Sequence, residues 1–205
     1  MTKKTICLSL GAFAGALAAA QFALAEPTLE ELRTVLQRDF HPRGQAKMDR
    51  VDQDAVQRLC TDTHDKPPVG LEKALEADQL KTIVLPAEGN LMGDWKRGEK
   101  IAGSGAGMTW KDKPDAANGG SCYNCHQLSP AQPSFGTIGP SLAHFANKRG
   151  SGPEAQKYVY SKIYNAKAFN LCSQMPRMGY SGTLTEQQMK DLTAYVLDPA
   201  SPVNH

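Results

Sequence analysis

Apolar residues recur at three- and four-residue spacing in six stretches, which predicts a helical chain. Thr28-Leu29-Glu30-Glu31 has the form of a capping box and opens the first, through about Phe40, with Leu29, Leu32, Val35 and Leu36 on one face. A second runs from about Lys47 to Cys60, with Val51, Ala55 and Leu59 at helical spacing. Asp65 to Gly70 is a Pro/Gly break, followed by a weaker helix from Leu71 to about Leu80. Thr82-Ile83-Val84-Leu85 reads as a short extended run. Residues 94–101 form a short amphipathic pattern, stopped by Gly103 to Gly107. Ser151-Gly152-Pro153 starts a helix to Asn165, and Thr185 caps a last one through Leu197, with Met189, Leu192, Tyr195 and Val196 as its inner stripe. Residues 111–120, 129–140 and 166–184 read as loop, and there is no internal repeat.

The first 25 residues belong to a different pattern. Lys3 and Lys4 precede an apolar run from Thr5 to Phe22, and Ala23-Leu24-Ala25 gives a small-x-small exit, the form of a cleaved export signal. The run is too short and too rich in Ala and Gly for a membrane span. Cys7 precedes the end of the apolar core, so it is expected to leave with the signal. The mature chain, from Glu26, has balanced charge, but residues 26–90 carry 9 Lys/Arg against 13 Asp/Glu, and residues 91–205 carry 12 against 8. No long basic run argues for nucleic acid, and the asymmetry favours a protein docking face. Export places the chain where cysteines pair or bind a group.

Chemistry concentrates at residues 119–128, GGSCYNCHQL. A zinc site needs a second pair of ligands, and only the isolated Cys60 and Cys172 are available. A thioredoxin-like pair needs a preceding strand, which the pattern lacks. Covalent haem attachment fits: Cys122 and Cys125 add across the vinyl groups, and His126 reaches the iron from the same turn. The second axial ligand is sought among His144, Met175, Met178 and Met189. Met189 lies on the inner stripe of the last helix, and His144 is too close to the proximal loop. Met175, followed by Pro176 in an irregular loop, is the first candidate and Met178 the fallback. His/Met ligation closes the iron to substrates and points to electron transfer. The Pro140 carbonyl is placed to accept the His126 Nδ1–H, although Gly139-Pro140 also reads as an ordinary turn. Trp95, Trp110, Phe135 and Tyr164 are expected to pack around the porphyrin. Lys148, Arg149, Lys157, Lys162, Lys167 and Arg177 read as a solvated rim.

The order Gly98-Glu99-Lys100-Ile101, Cys122-x-x-Cys125-His126, Gly139-Pro140-Ser141-Leu142, Met175-Pro176 and a Tyr195-bearing final helix resembles class I cytochromes c over residues 91–205. The resemblance implies an all-α fold, with residues 26–90 as a helical N-terminal extension. Residues 136–142, Met175-Pro176-Arg177-Met178-Gly179 and the tail Leu197 to Asn204 are similar to the SoxX family. These are the monohaem subunits of the SoxAX complex, an L-cysteine S-thiosulfotransferase. Met178 stands where that family has an aromatic residue.

The narrower resemblance implies a heterodimer with a SoxA-type haem subunit, which carries the bond-forming chemistry. This chain then has no catalytic residue. It accepts electrons on one His/Met-ligated haem c and relays them to a small cytochrome c, while the complex serves a sulfur-carrier protein. The alternative is a freestanding periplasmic shuttle. Cys60 and Cys172, unclaimed by haem, are expected to form a disulfide tying the extension to the Met175 loop, with a redox pair as the other reading.

Overall fold

The computed structural model describes residues 27–205. The expected export signal and Cys7 lie outside the described residues. Seven α-helices and short 3₁₀ turns make up the described chain, with a lone bridge between Arg43 and Ala46 and no strand among these residues.

The chain divides into two compact units after Asp39. The first contains α1, Leu29–Asp39. Its capping box is formed as the sequence predicts: Thr28 N–H donates to Glu31 Oε2 at 2.7 Å, and Glu31 N–H to Thr28 Oγ1 at 3.2 Å. No residue of α1 is buried.

The second unit runs from Phe40 to His205, so residues 40–90 pack together with the domain that bears the Cys-x-x-Cys-His motif. The single helix expected from Lys47 to Cys60 is two elements. A 3₁₀ turn, Met48–Val51, ends at Asp52, and α2, Ala55–Asp62, begins anew. Asp54 causes the break, because its carboxylate caps α2 by accepting Gln57 N–H at 2.8 Å while Gln57 Oε1 accepts Asp54 N–H. Helix α3 spans Val69–Lys81. The expected extended run after it finds no partner strand; Thr82 and Ile83 turn back onto the helix end, and Val84 and Leu85 are exposed.

Helix α4, Trp95–Gly103, is capped by Asp94, and α7, Glu186–Leu197, by the reciprocal pair Thr185 and Gln188. The two helices cross with their backbones nearly in contact at Gly98. An ideal Cβ there would stand 2.1 Å from the Asp191 carbonyl oxygen and 2.7 Å from Tyr195 Cβ. Here glycine is required by close approach. Asp191 locks the crossing. Its carboxylate accepts from Asp94 N–H at 2.9 Å, from Arg97 Nε and Nη2 at 2.8 and 2.9 Å, and from Gln187 Nε2 at 2.8 Å. The main core gathers Leu91, Ala102, Leu128, Tyr160, Leu184, Met189, Leu192, Tyr195 and Val203 from both sides of this crossing.

Two short helices complete the fold: α5, Phe145–Arg149, and α6, Pro153–Tyr164. The sequence pattern gave no sign of α5, which has only five residues. The C-terminal tail is held by Asn204, whose Oδ1 accepts Ala146 N–H at 2.8 Å and whose Nδ2 donates to Val196 O and Asp198 O at 3.1 and 2.9 Å. Its buried position is matched by full use of its side chain.

Asp191 is nearly fully buried. Burial opposes its charge, but the Arg97, Asp94 and Gln187 hydrogen bonds outweigh that and hold the carboxyl below the ordinary aspartate range. A depressed folded-state value contributes stability above the unfolded pKa, about 3.9, and loses it as pH falls through the folded value. Asp191→Asn is therefore expected to flatten the acid limb of the stability–pH curve, measured by denaturant titrations from about pH 5 to about pH 2. An acid limb as steep as the parent's contradicts this role.

Candidate functional site: the Cys-x-x-Cys-His turn and the Met175 loop

The motif is built on a tight turn. Ser121, left-handed at φ +48°, delivers the chain into a 3₁₀ turn at Cys122–Asn124. Gly120 N–H and Ser121 N–H tie it to the end of α4 through Ile101 O and Ser104 O. Cys125 N–H and His126 N–H both point back to Cys122 O, at 3.1 and 2.9 Å. Two thiols and an imidazole thus leave one turn in fixed relation. Both thiols are free. Cys122 packs against the main core, and burial pushes its thiol up to about 11.

A second loop wraps this turn. Gly136 N–H donates to Tyr123 O at 2.9 Å, Gly139 N–H to Cys125 O at 2.8 Å, and Leu142 N–H to Gln127 O at 2.8 Å. These bonds bring the Pro140 carbonyl 2.7 Å from His126 Nδ1. A proline carbonyl only accepts, so Nδ1 carries the proton and Nε2 keeps its lone pair for a metal. Gly139 lies flat against the ring: a Cβ there would be 2.2 Å from His126 Cε1. The loop is shaped to the imidazole, and it fixes the orientation of the ligand.

The surroundings fit a porphyrin. Leu142, Tyr164 and Met178 pack against the same core cluster as Cys122. Ile138, in the wrapping loop, is 78 % exposed, the highest value among the large apolar residues described. A flat apolar group held by the two thiols would lie beside these side chains. When bound, haem c supplies a one-electron iron couple. Cys122 and Cys125 would hold it through thioether bonds, with His126 as the oriented imidazole and Leu142, Tyr164 and Met178 as the apolar wall.

The Met175 loop is held from below by the extension. Cys60 of α2 and Cys172 are disulfide-bonded, with a Cα–Cα distance of 5.5 Å. Val56, Leu59, Leu75 and Leu171 surround the bridge. From α3, Glu76 Oε1 accepts Leu171 N–H, and Gln79 and Thr82 accept from the buried Asn165 side chain. Met175 follows, half-buried, with its N–H on Ser173 Oγ at 3.2 Å. Met178 is committed differently. Its N–H donates to Ile163 O, its carbonyl accepts Leu184 N–H, and its side chain packs on the main core. Met175 belongs to none of the apolar clusters, so its thioether is spared from core packing. Met189, 3 % exposed, is core, and His144 is half-buried at the start of α5 with its N–H on Val203 O.

Two of the six basic residues read as a solvated rim are not solvated. Lys167 is 6 % exposed and donates Nζ to Leu171 O at 2.9 Å. Arg177 is paired with Asp54 across 123 positions of sequence and lies over the Tyr180 ring. Asp54 and Asp191 were not singled out from the sequence; neither has a local signal beyond the cap at Asp54. Trp110 sits apart from the apolar clusters, stacked under the Arg43 guanidinium at 3.4 Å.

The described residues form a helical fold that sets a thiol pair and an oriented imidazole on one turn, the arrangement of a covalent haem carrier. Comparison with known proteins agrees. The family model for cytochrome c matches residues 115–198, from before the motif to the end of α7. An uncharacterized lipoprotein of Aquifex aeolicus (strain VF5) is 37 % identical over 159 residues, covering 74 % of this chain and 73 % of the relative. Residues 115–198 are a domain of the cytochrome c family, and electron transfer through covalently bound haem c is the class of function of such a domain. No described helix is long and apolar enough to cross a membrane.

Proposed function

We propose that this chain is the electron-accepting subunit of a periplasmic SoxAX-type complex, with His126 and Met175 as the axial ligands of its single haem. The complex joins thiosulfate to a carrier-protein cysteine. The thiol and thiosulfate form a sulfur–sulfur bond, releasing one proton and two electrons, which leave one at a time through haem. The cysteine inventory carries this reading. Among the described residues, Cys60 and Cys172 are bonded to each other, and the two free thiols, Cys122 and Cys125, are those assigned to haem attachment. No thiol is left over for sulfur chemistry, so bond formation falls to a SoxA-type partner and this chain passes the electrons to a small cytochrome c. The likeness of residues 136–142, 175–179 and 197–204 to SoxX proteins supports the same assignment, as does the Lys3-Lys4 leader, expected to be removed after Ala25. The Aquifex relative, named a lipoprotein, is itself consistent with an exported family.

Affinity purification from a thiosulfate-grown host is expected to bring down a second haem protein, and thiosulfate is expected to reduce this haem only when that partner and the carrier are present. Elution alone, with direct reduction by soluble donors, identifies a freestanding shuttle instead. Ligation is tested separately. Met175→Ala is expected to abolish the long-wavelength sulfur-to-iron band of the oxidised protein and lower its potential, whereas Met178→Ala keeps the band. The reverse result moves the ligand to Met178.

A further inference from the structure

The Met175 loop forms one wall of a cleft of about 190 Å³ that the haem reading does not use. Gln53, Gln57 and Thr61, on α2 and just before it, form the facing wall; Lys167 and Arg177 line it as well. At about 30 Å³ per water, the space holds roughly six waters, or one tetrahedral oxyanion with two or three.

The two cations of this cleft have donors to spare. Arg177 gives Nη2 to Asp54, but its Nη1 is buried and has no partner. Lys167 Nζ has three protons and reaches two acceptors, Leu171 O at 2.9 Å and Ser173 O at a long 3.5 Å. Gln174 Nε2 has only a 3.5 Å contact to Cys172 O. Charge points the same way. Asp54, outside the lining, pairs with Arg177, and Asp65, the one acid of the lining, is exposed to water. Among the described residues Lys167 is buried without an ion pair, with Asp54 and Asp65 acting on it only at longer range, and a buried charge is costly unless it is paired. Water satisfies donors but brings no charge.

We propose that this cleft binds a small inorganic oxyanion of the sulfate or phosphate class between Lys167 and Arg177, directly behind the Met175 loop. A tetrahedral anion presents acceptors in several directions at once, which suits an arginine, a lysine and an amide brought to one cleft by different segments. The anion draws together α2, Lys167 and residues 173–177. The site therefore stands whether Met175 or Met178 meets the iron.

The test is calorimetric titration of the oxidised holoprotein with sodium sulfate, and separately with sodium phosphate, at ionic strength held constant with sodium chloride. One saturable site is expected, with each anion displacing the other. Lys167→Met removes a donor charge, and Gln53→Glu puts a carboxylate on the exposed rim without touching the core. Each is expected to weaken binding at least about tenfold. Gln53→Glu keeps the experiment decisive if Lys167→Met does not fold. Only dilution heats in the parent protein, or affinity unchanged in the folded variants, overturns the proposal.

Discussion

Replacing both Cys60 and Cys172 by alanine is expected to cost this protein about 4 kcal/mol of stability. The bridge spans 112 positions, and in the chain-entropy description a closed loop of that size restrains the unfolded chain by about 4 to 5 kcal/mol. Both cysteines also lie in a small apolar cluster with Val56 and Leu171, so alanine leaves unfilled space as well. Denaturant titration of the oxidised holoprotein against the double variant measures the difference. The loop between Leu171 and Met178 is expected to loosen first, because its remaining anchors are the Glu76, Lys167 and Arg177 bonds. The sulfur-to-iron band should then fade at a lower temperature than global unfolding does, whereas in the parent protein the two losses coincide. A difference under about 1 kcal/mol means that the extension is held by its packing alone.

The second large effect is expected at Gly98, and its sign carries the information. In an exposed helix interior, Gly→Ala usually stabilises by about 1 kcal/mol. Here the added carbon would meet the Asp191 carbonyl at 2.1 Å, a backbone atom with no rotamer to yield. Gly98→Ala is therefore expected to destabilise by about 2 to 3 kcal/mol, in the range for forcing extra volume into a packed interface. The strain falls on α7 near Asp191 and Tyr195. Tyr195 is buried there, and desolvation pushes its phenol up to about 12, so a separated crossing is expected to bring that ionisation back toward its ordinary value. Thermal denaturation gives the first result and ultraviolet titration of tyrosine the second. A stabilised Gly98→Ala protein means that the helices do not cross at this residue.

What the sequence determined by itself is local. The capping pairs at Thr28 with Glu31 and at Thr185 with Gln188 are legible because donor and acceptor are three residues apart. The helices α4, α6 and α7 follow from apolar spacing, and the motif at Cys122 to His126 lies within one turn, so its chemistry is readable from order alone. Where local signals competed, tertiary context chose. Val51 and Ala55 share a helical spacing, yet the Asp54 cap divides them. Thr82 to Leu85 has the composition of a strand but no neighbouring strand to pair with.

Only the tertiary structure decided where charges lie. Lys167 and Arg177 look like ordinary surface bases, and Asp191 looks like one acid of an amphipathic helix. Their burial depends on Leu171 and Ser173 carbonyls folded back over Lys167, on Asp54 more than a hundred positions from Arg177, and on Arg97 and Asp94 across a helix crossing. A helix or a turn is fixed by neighbours within about four residues. A buried charge is fixed by partners that only the folded chain brings near.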